Sequence, residues 1–170
     1  KLLDTIGFCE TFLTSANCDL YTFPGYRVVH KPRTTGRRGC GVSLLVKESL
    51  SFSIRSDLSE LLTLSESLFI QIPTDSCACS KRVIIGEIYR PPNGIKTAFI
   101  DEIEILLDRL DRNSLCFLMG DFNIDLMTCD TDHDSINFMS CFFGHGYFPL
   151  INRPTRLASG TLLDHIFTNS

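Results

Sequence analysis

The chain has 170 residues, with 16 Lys and Arg against 20 Asp and Glu for a formal charge of −4. That length suits one domain that buries roughly 70% of its unfolded surface. It holds no apolar run of the ~18 residues a membrane span needs, and KLLDTIGFCE at its start has no signal-peptide anatomy. The acidic balance by itself disfavours a nucleic-acid partner.

In chain order, TIGFCE (5–10) reads as a strand that ends in an acid. GYRVVHK (25–31) and GCGVSLLVK (39–47) read as strands around a loop rich in Gly and Arg. Between Tyr26 and Arg38 lie Arg27, Lys31, Arg33, Arg37 and Arg38, with His30 and no acid. This is either a solvated basic loop or a phosphate-contacting lobe on an acidic body. ESLFIQIP (66–73) and KRVIIGEIYRPP (81–92) form a further strand pair joined by TDSCACS, and Pro91 and Pro92 close the second strand. The clearest helix is TAFIDEIEILLDRLDR (97–112), with Phe99, Ile103, Leu106, Leu107 and Leu110 at helical spacing and Thr97 as its cap. LCFLMG (115–120) is an apolar strand. DSINFMSCFFGHG (134–146) is a second helix, capped by Asp134 and stopped at Gly144 or Gly146. YFPLINRPT and TLLDHIFTN read as strands. Strand pairs mixed with strand–helix–strand passages predict sheets covered by helices, an α/β or α+β sandwich, in a single domain over 1–170.

Of the eight cysteines, Cys9, Cys116 and Cys141 lie in apolar runs, where free Cys behaves as a small hydrophobe. Cys77 and Cys79 make a CxC without a second pair, a poor zinc signature. Reduced thiols in an intracellular protein fit this usage.

Four apolar runs each deliver a polar group: IGFC delivers Glu10, VIIGEI delivers Tyr89, LCFLMG delivers Asp121 and Asn123, and TLL delivers Asp164. Acids within such runs are expensive unless hydrogen-bonded or bound to a cation. Strand ends converging on one rim make a typical active-site edge. The chemistry this set suits is phosphodiester hydrolysis. Glu10 suits a hard divalent cation, and Asp121 an attacking water. Asn123 shares a face with Asp121 if the chain stays extended, and Tyr89 can donate to a phosphoryl oxygen. Taken singly, Glu10 and Tyr89 also read as ordinary strand-end residues, and Asp121 and Asn123 as turn residues. Glu87 shares Tyr89's face and is a weaker candidate. His165 points away from Asp164 by strand alternation and reads as structural. DFNIDLMTCDTD (121–132) partly matches a calcium loop, but Leu126 stands where Gly is needed and Asp132 where Glu is.

GFCETFL, GYRVVHKPRTTGRRGCGVSLLV, EIYRPPN, LMGDFNIDL, LINRPTR and TLLDHIFTN, in this order, resemble the endonuclease domain of non-LTR retrotransposons. That domain belongs to the endonuclease/exonuclease/phosphatase superfamily, alongside apurinic endonucleases and DNase I. The resemblance implies a four-layer sandwich, two mixed β-sheets face to face with helices outside. It implies Mg²⁺ (or Mn²⁺) as cofactor and DNA as partner, nicked so that its 3′-hydroxyl primes reverse transcription. It further implies a larger polypeptide with a reverse transcriptase, nuclear when acting on DNA. By motif, Glu10 resembles the metal-binding glutamate and Tyr89 the phosphate-contacting tyrosine. Asp121 and Asn123 resemble the pair that handles water and phosphate, and Asp164 the aspartate that orients a catalytic histidine. Asn93 and the basic Arg33, Arg37 and Arg38 are further substrate-binding candidates. The family's first strand, with its asparagine, and its closing Ser-Asp-His have no counterpart here. This points to an interior piece truncated at both ends, and none of His30, His133, His145 or His165 lies in a catalytic context. Two alternatives stay open: a non-catalytic DNA-binding remnant, and a phosphoesterase of the same fold acting on another substrate.

Overall fold

The computed structural model describes residues 3–32, 41–76 and 81–170. The strands are β1 (Thr5–Phe8), β2 (Tyr26–Lys31), β3 (Val42–Lys47), β4 (Ser53–Ile54), β5 (Glu66–Ile72), β6 (Val83–Tyr89), β7 (Leu115–Asp121), β8 (Phe148–Pro149) and β9 (Asp164–Thr168). The helices are α1 (Ser56–Ser59), α2 (Lys96–Arg109) and α3 (His133–Gly144). A three-stranded antiparallel sheet has the order β1-β3-β2, and a six-stranded sheet the order β4-β5-β6-β7-β9-β8. Within the larger sheet β6 and β7 run parallel, so the chain must cross over between them, and α2 is that crossover.

Strand alternation divides the apolar residues between two cores. Val42, Leu44 and Val46 of β3 pack across the sheet–sheet gap on Leu68, Ile70 and Ile72 of β5 and on Val83, Ile85 and Tyr89 of β6. The other face of the six-stranded sheet sends Phe69, Ile84, Ile88, Leu118 and Phe167 under α2 and α3. There α2 contributes Phe99, Ile103, Leu106 and Leu107, at the spacing expected of its apolar stripe. From α3 come Phe138 and Phe142. The Phe142 and Phe167 rings stack with centroids 3.8 Å apart, and Phe138 meets Phe142 edge-on at 5.0 Å. The architecture is therefore the expected α+β sandwich of two facing sheets with helices. Among the described residues, α2 and α3 lie on the outer face of the larger sheet.

Several boundaries differ from the sequence reading. Helix α2 starts at Lys96 with Ile95 as N-cap and no side-chain cap, so Thr97 lies inside the first turn. Helix α3 is capped by Asp132 rather than Asp134. Asp132 has the extended backbone a cap requires, and its carboxylate accepts the Ser135 N–H at 3.0 Å. Asp134 instead faces Lys96 at 3.6 Å. Only Phe148–Pro149 of YFPLINRPT is strand, at the edge of the larger sheet where a proline is tolerated. The calcium-loop reading fails. Asp121 ends a strand, while Asp125 Oδ1 accepts from the N–H groups of Met127 and Leu162 at 3.0 and 2.9 Å. Cys9, Cys18, Cys116, Cys129 and Cys141 are free thiols, and Cys40, Cys77 and Cys79 lie outside the described residues. Among the described residues no helix is long and apolar enough to cross a membrane.

Candidate active site

Because β6 and β7 are parallel, their ends, Tyr89 and Asp121, reach one rim of the larger sheet. Antiparallel β9 begins there, and its first residue, Asp164, is the register partner of Asp121. Across the gap, the chain leaving β1 comes within reach of both. Tyr89 Oη donates to Glu10 Oε1 at 2.6 Å. Cys9 Sγ donates to Glu87 Oε1 at 3.0 Å and accepts the Asp121 N–H at 3.4 Å. Glu10, Tyr89, Asp121 and Asp164, scattered along the chain, thus meet where the two sheets open.

The backbone is strained at this rim. Glu10, Phe12 and Asn123 adopt φ of 52°, 57° and 49°, a region L-residues seldom enter. Such strain gathers at functional sites. Strand β1 therefore stops at Phe8 and does not run on to Glu10: the left-handed turn lifts Glu10 out of the ladder toward Tyr89. Gly120 has φ 136°, and a Cβ there would strike the Ile88 carbonyl, so the glycine of GDFN lets β7 press onto β6.

Asp121 is buried, and its Oδ1 accepts the Asn123 N–H at 3.0 Å. Its Oδ2 accepts from Arg156 at 3.0 Å. Burial is the largest influence on its carboxyl and raises its pKa. The neighbouring Asp164 and Glu10 charges add to the rise, and the Asn123 bond and Arg156 oppose it. The extended path expected from Asp121 to Asn123 is absent. At Asn123 the chain reverses, and its side-chain amide donates to the Arg90 carbonyl at 2.7 Å.

Arg90, a residue the sequence reading passed over, holds this turn. Its guanidinium is buried and donates to the carbonyls of Phe122 and Asn123 at 2.7 Å each, and to those of Pro91 and Gly94 at 3.1 Å each. It therefore clamps the turn carrying Asn123 to the exposed turn carrying Asn93. The signal for Arg90 was an arginine directly after a strand apolar but for Glu87; alternation turns it away from Tyr89 into the helix-side core. Arg156 was missed too, because nothing local marks a loop arginine as the partner of an aspartate 35 residues away.

Glu87 lies beneath the rim. Gly7 leaves it room, since a Cβ there would collide with its carboxylate. Burial pushes the Glu87 carboxyl up to about 8; the Cys9 S–H bond works against this and Asp164 adds to it. His165 is where alternation puts it, on the helix side. It is packed against Phe122 and Phe167, with Nε2 2.9 Å from the Ile124 carbonyl oxygen. Arg33, Arg37 and Arg38 lie outside the described residues.

Among the described residues no three His, Cys, Asp or Glu side chains are arranged to enclose an ion. A hard cation such as Mg²⁺ does not need such a cage. It binds one or two carboxylates and keeps waters for the remaining positions. Glu10 is exposed, and the mutual repulsion that helps raise Asp121 marks an anionic rim that a cation would relieve. The residues present fit the group.

Two facing sheets with helices on the outer face of the larger one define a fold class, an α+β sandwich with a carboxylate-lined rim. The chain belongs to the endonuclease/exonuclease/phosphatase family, which it matches over residues 1–170. No curated protein matches it by sequence. Among solved structures it is similar to the endonuclease domain of TRAS1, a telomere-specific non-LTR retrotransposon. The TM-score there is 0.65 at 15% identity, over 85% of this chain and 65% of that one. The AP endonuclease LMAP from Leishmania major gives 0.65 at 14% identity, over 98% of this chain and 70% of that one. A mannosyl-6-phosphatase from Bacteroides thetaiotaomicron VPI-5482 gives 0.59 at 16% identity, over 97% and 70%. The chain thus spans 65% to 70% of the lengths of these structures, and the likenesses establish the fold.

Proposed function

We propose that this domain hydrolyses DNA phosphodiesters as the nicking endonuclease module of a retrotransposon-type reverse transcriptase protein, with Mg²⁺ or Mn²⁺ at Glu10. The observation that carries the reading is the meeting of Glu10, Tyr89, Asp121, Asn123 and Asp164 at one strained rim, together with family membership. A divalent cation at Glu10 would supply charge stabilisation at the phosphoryl oxygens. Asp121 takes the proton of the attacking water. Its raised pKa makes it a stronger base than an ordinary carboxylate. Asn123, locked by Arg90, fixes the Asp121 carboxylate through its own N–H. Tyr89 orients Glu10 by donating its one O–H to that carboxylate, and it would reach a phosphoryl oxygen by exchanging that bond. Asn93 and the basic residues Arg33, Arg37 and Arg38 contact the DNA backbone, and the protein acts in the nucleus.

Nicking of supercoiled plasmid with Mg²⁺ by the larger polypeptide that carries this domain, parent against Asp121→Ala, tests this. The parent is expected to nick and the variant to lose the activity, while the 170-residue domain alone, without a catalytic histidine, is expected to be impaired. Equal nicking by both would reject the assignment. DNA binding without nicking by either would leave a non-catalytic DNA-binding remnant. The similarity to the mannosyl-6-phosphatase favours a second reading, a phosphoesterase acting on a sugar or inositol phosphate. Release of inorganic phosphate from such esters, with no action on DNA, would select it.

A further inference from the structure

Arg156 stands in the loop before β9, outside every role assigned above except its contact with Asp121. The two ends of that ion pair differ sharply: the Asp121 side chain is 7% exposed and the Arg156 side chain 49%. The loop does not need the pair to hold its shape. The N–H groups of Thr155 and Arg156 both donate to the Thr161 carbonyl at 3.0 Å, and the Gly160 N–H donates to the Arg156 carbonyl at 2.9 Å. Thr155 Oγ1 accepts the N–H groups of Leu163 and Asp164 at 3.3 Å each, so the base of the loop is tied to the start of β9 itself. Arg156 is therefore a solvent-reaching cation on a fixed stem. Its head covers Oδ2 of the buried carboxylate while the Asn123 N–H occupies Oδ1.

The arginine end of the pair is half-exposed and screened by water, so its guanidinium can pass to another anion that reaches the rim. A phosphodiester offers the guanidinium a two-oxygen acceptor that matches its planar fork. We propose that Arg156 is a phosphate-binding residue that rests on Asp121 until substrate arrives. It then transfers its guanidinium to non-bridging oxygens of the phosphodiester and uncovers Asp121 Oδ2 for the attacking water. The proposal rests on the hydrolytic reading of the rim and adds to it a residue that couples substrate arrival to release of the base. The fixed stem holds the cation within reach of the phosphate at little entropic cost.

Steady-state nicking of supercoiled plasmid with Mg²⁺ by the larger polypeptide that carries this domain, over a series of salt concentrations, tests this with wild type, Arg156→Gln, Arg156→Lys and Asp121→Asn. Arg156→Gln is expected to raise KM about tenfold and to lower the slope of log affinity against log salt by about one, as loss of one phosphate contact does. Arg156→Lys keeps the charge without the fork and is expected to restore the salt slope but only part of KM. It also serves if Arg156→Gln does not fold. Unchanged KM and salt slope in both Arg156 variants, with Asp121→Asn inactive, would overturn the role of Arg156 and leave the hydrolytic reading standing. A wild type that cleaves no phosphodiester would overturn both together.

Discussion

On the helix side of the six-stranded sheet, His165 and Phe167 of β9 sit in a dry aromatic cluster with Phe122, Phe138 and Phe142. On the sheet side, Asp164, one residue away, faces a rim shared with Glu10, Tyr89 and Asp121. The helix side keeps His165 uncharged: burial lowers its pKa, and its Nε2 is matched to a backbone carbonyl. The rim instead keeps carboxylates that repel one another, and it holds Glu10 and Asn123 in left-handed backbone. One face is built for stability. The other retains groups that burial and repulsion disfavour, the expected mark of a working site.

Substitutions on the two faces should therefore have opposite signatures. Asp121→Ala should lower nicking by about 10²–10⁴-fold. Its melting temperature should stay at or above the parent's, since a buried carboxylate among like charges is lost. A sharp fall in melting temperature with retained nicking would break the contrast. Phe138→Ala should do the reverse, costing about 3–5 kcal/mol in denaturant unfolding while the folded fraction still nicks.

Glu87 lies between the two regimes, and it titrates. Its folded carboxyl is raised from 4.5 to about 8, so the folded chain keeps a proton that the unfolded chain releases. This contribution is fully present below about pH 4.5 and is lost as pH rises toward 8. Glu87→Gln should flatten the fall in unfolding free energy across that window, a change of up to a few kcal/mol at about 1.4 kcal/mol per pKa unit. An unaltered pH profile would show that Glu87 is solvated. The smallest effect belongs to the helix layer: Asp132→Ala removes the α3 cap and should lower the melting temperature slightly, with nicking untouched.

Much of this contrast was legible in the residues. Period-two alternation separates Asp164 from His165, because neighbouring side chains on a strand must point to opposite faces. The stripe of Phe99, Ile103, Leu106 and Leu107 announces the buried face of α2. Helix caps were less legible. Ile95 precedes α2 without a capping side chain, and Asp132 and Asp134 are both acceptable before α3 until the backbone selects the one in extended conformation. Asn123 illustrates the limit at the site. Its proximity to Asp121 is local, but its side-chain partner, the Arg90 carbonyl, lies 33 residues away.

The order of amino acids by itself determined which groups stand at the ends of apolar runs, and that sheets would be covered by helices. Those are consequences of local periodicity and of the penalty on isolated buried charge. Tertiary structure alone decided that Arg156 lies on Asp121, that Arg90 clamps two turns together, and that Glu87 is buried beneath Gly7 and bonded to Cys9. Each of these contacts joins side chains from different elements. No window of neighbouring residues encodes them, because they form only when the sheets close on one another.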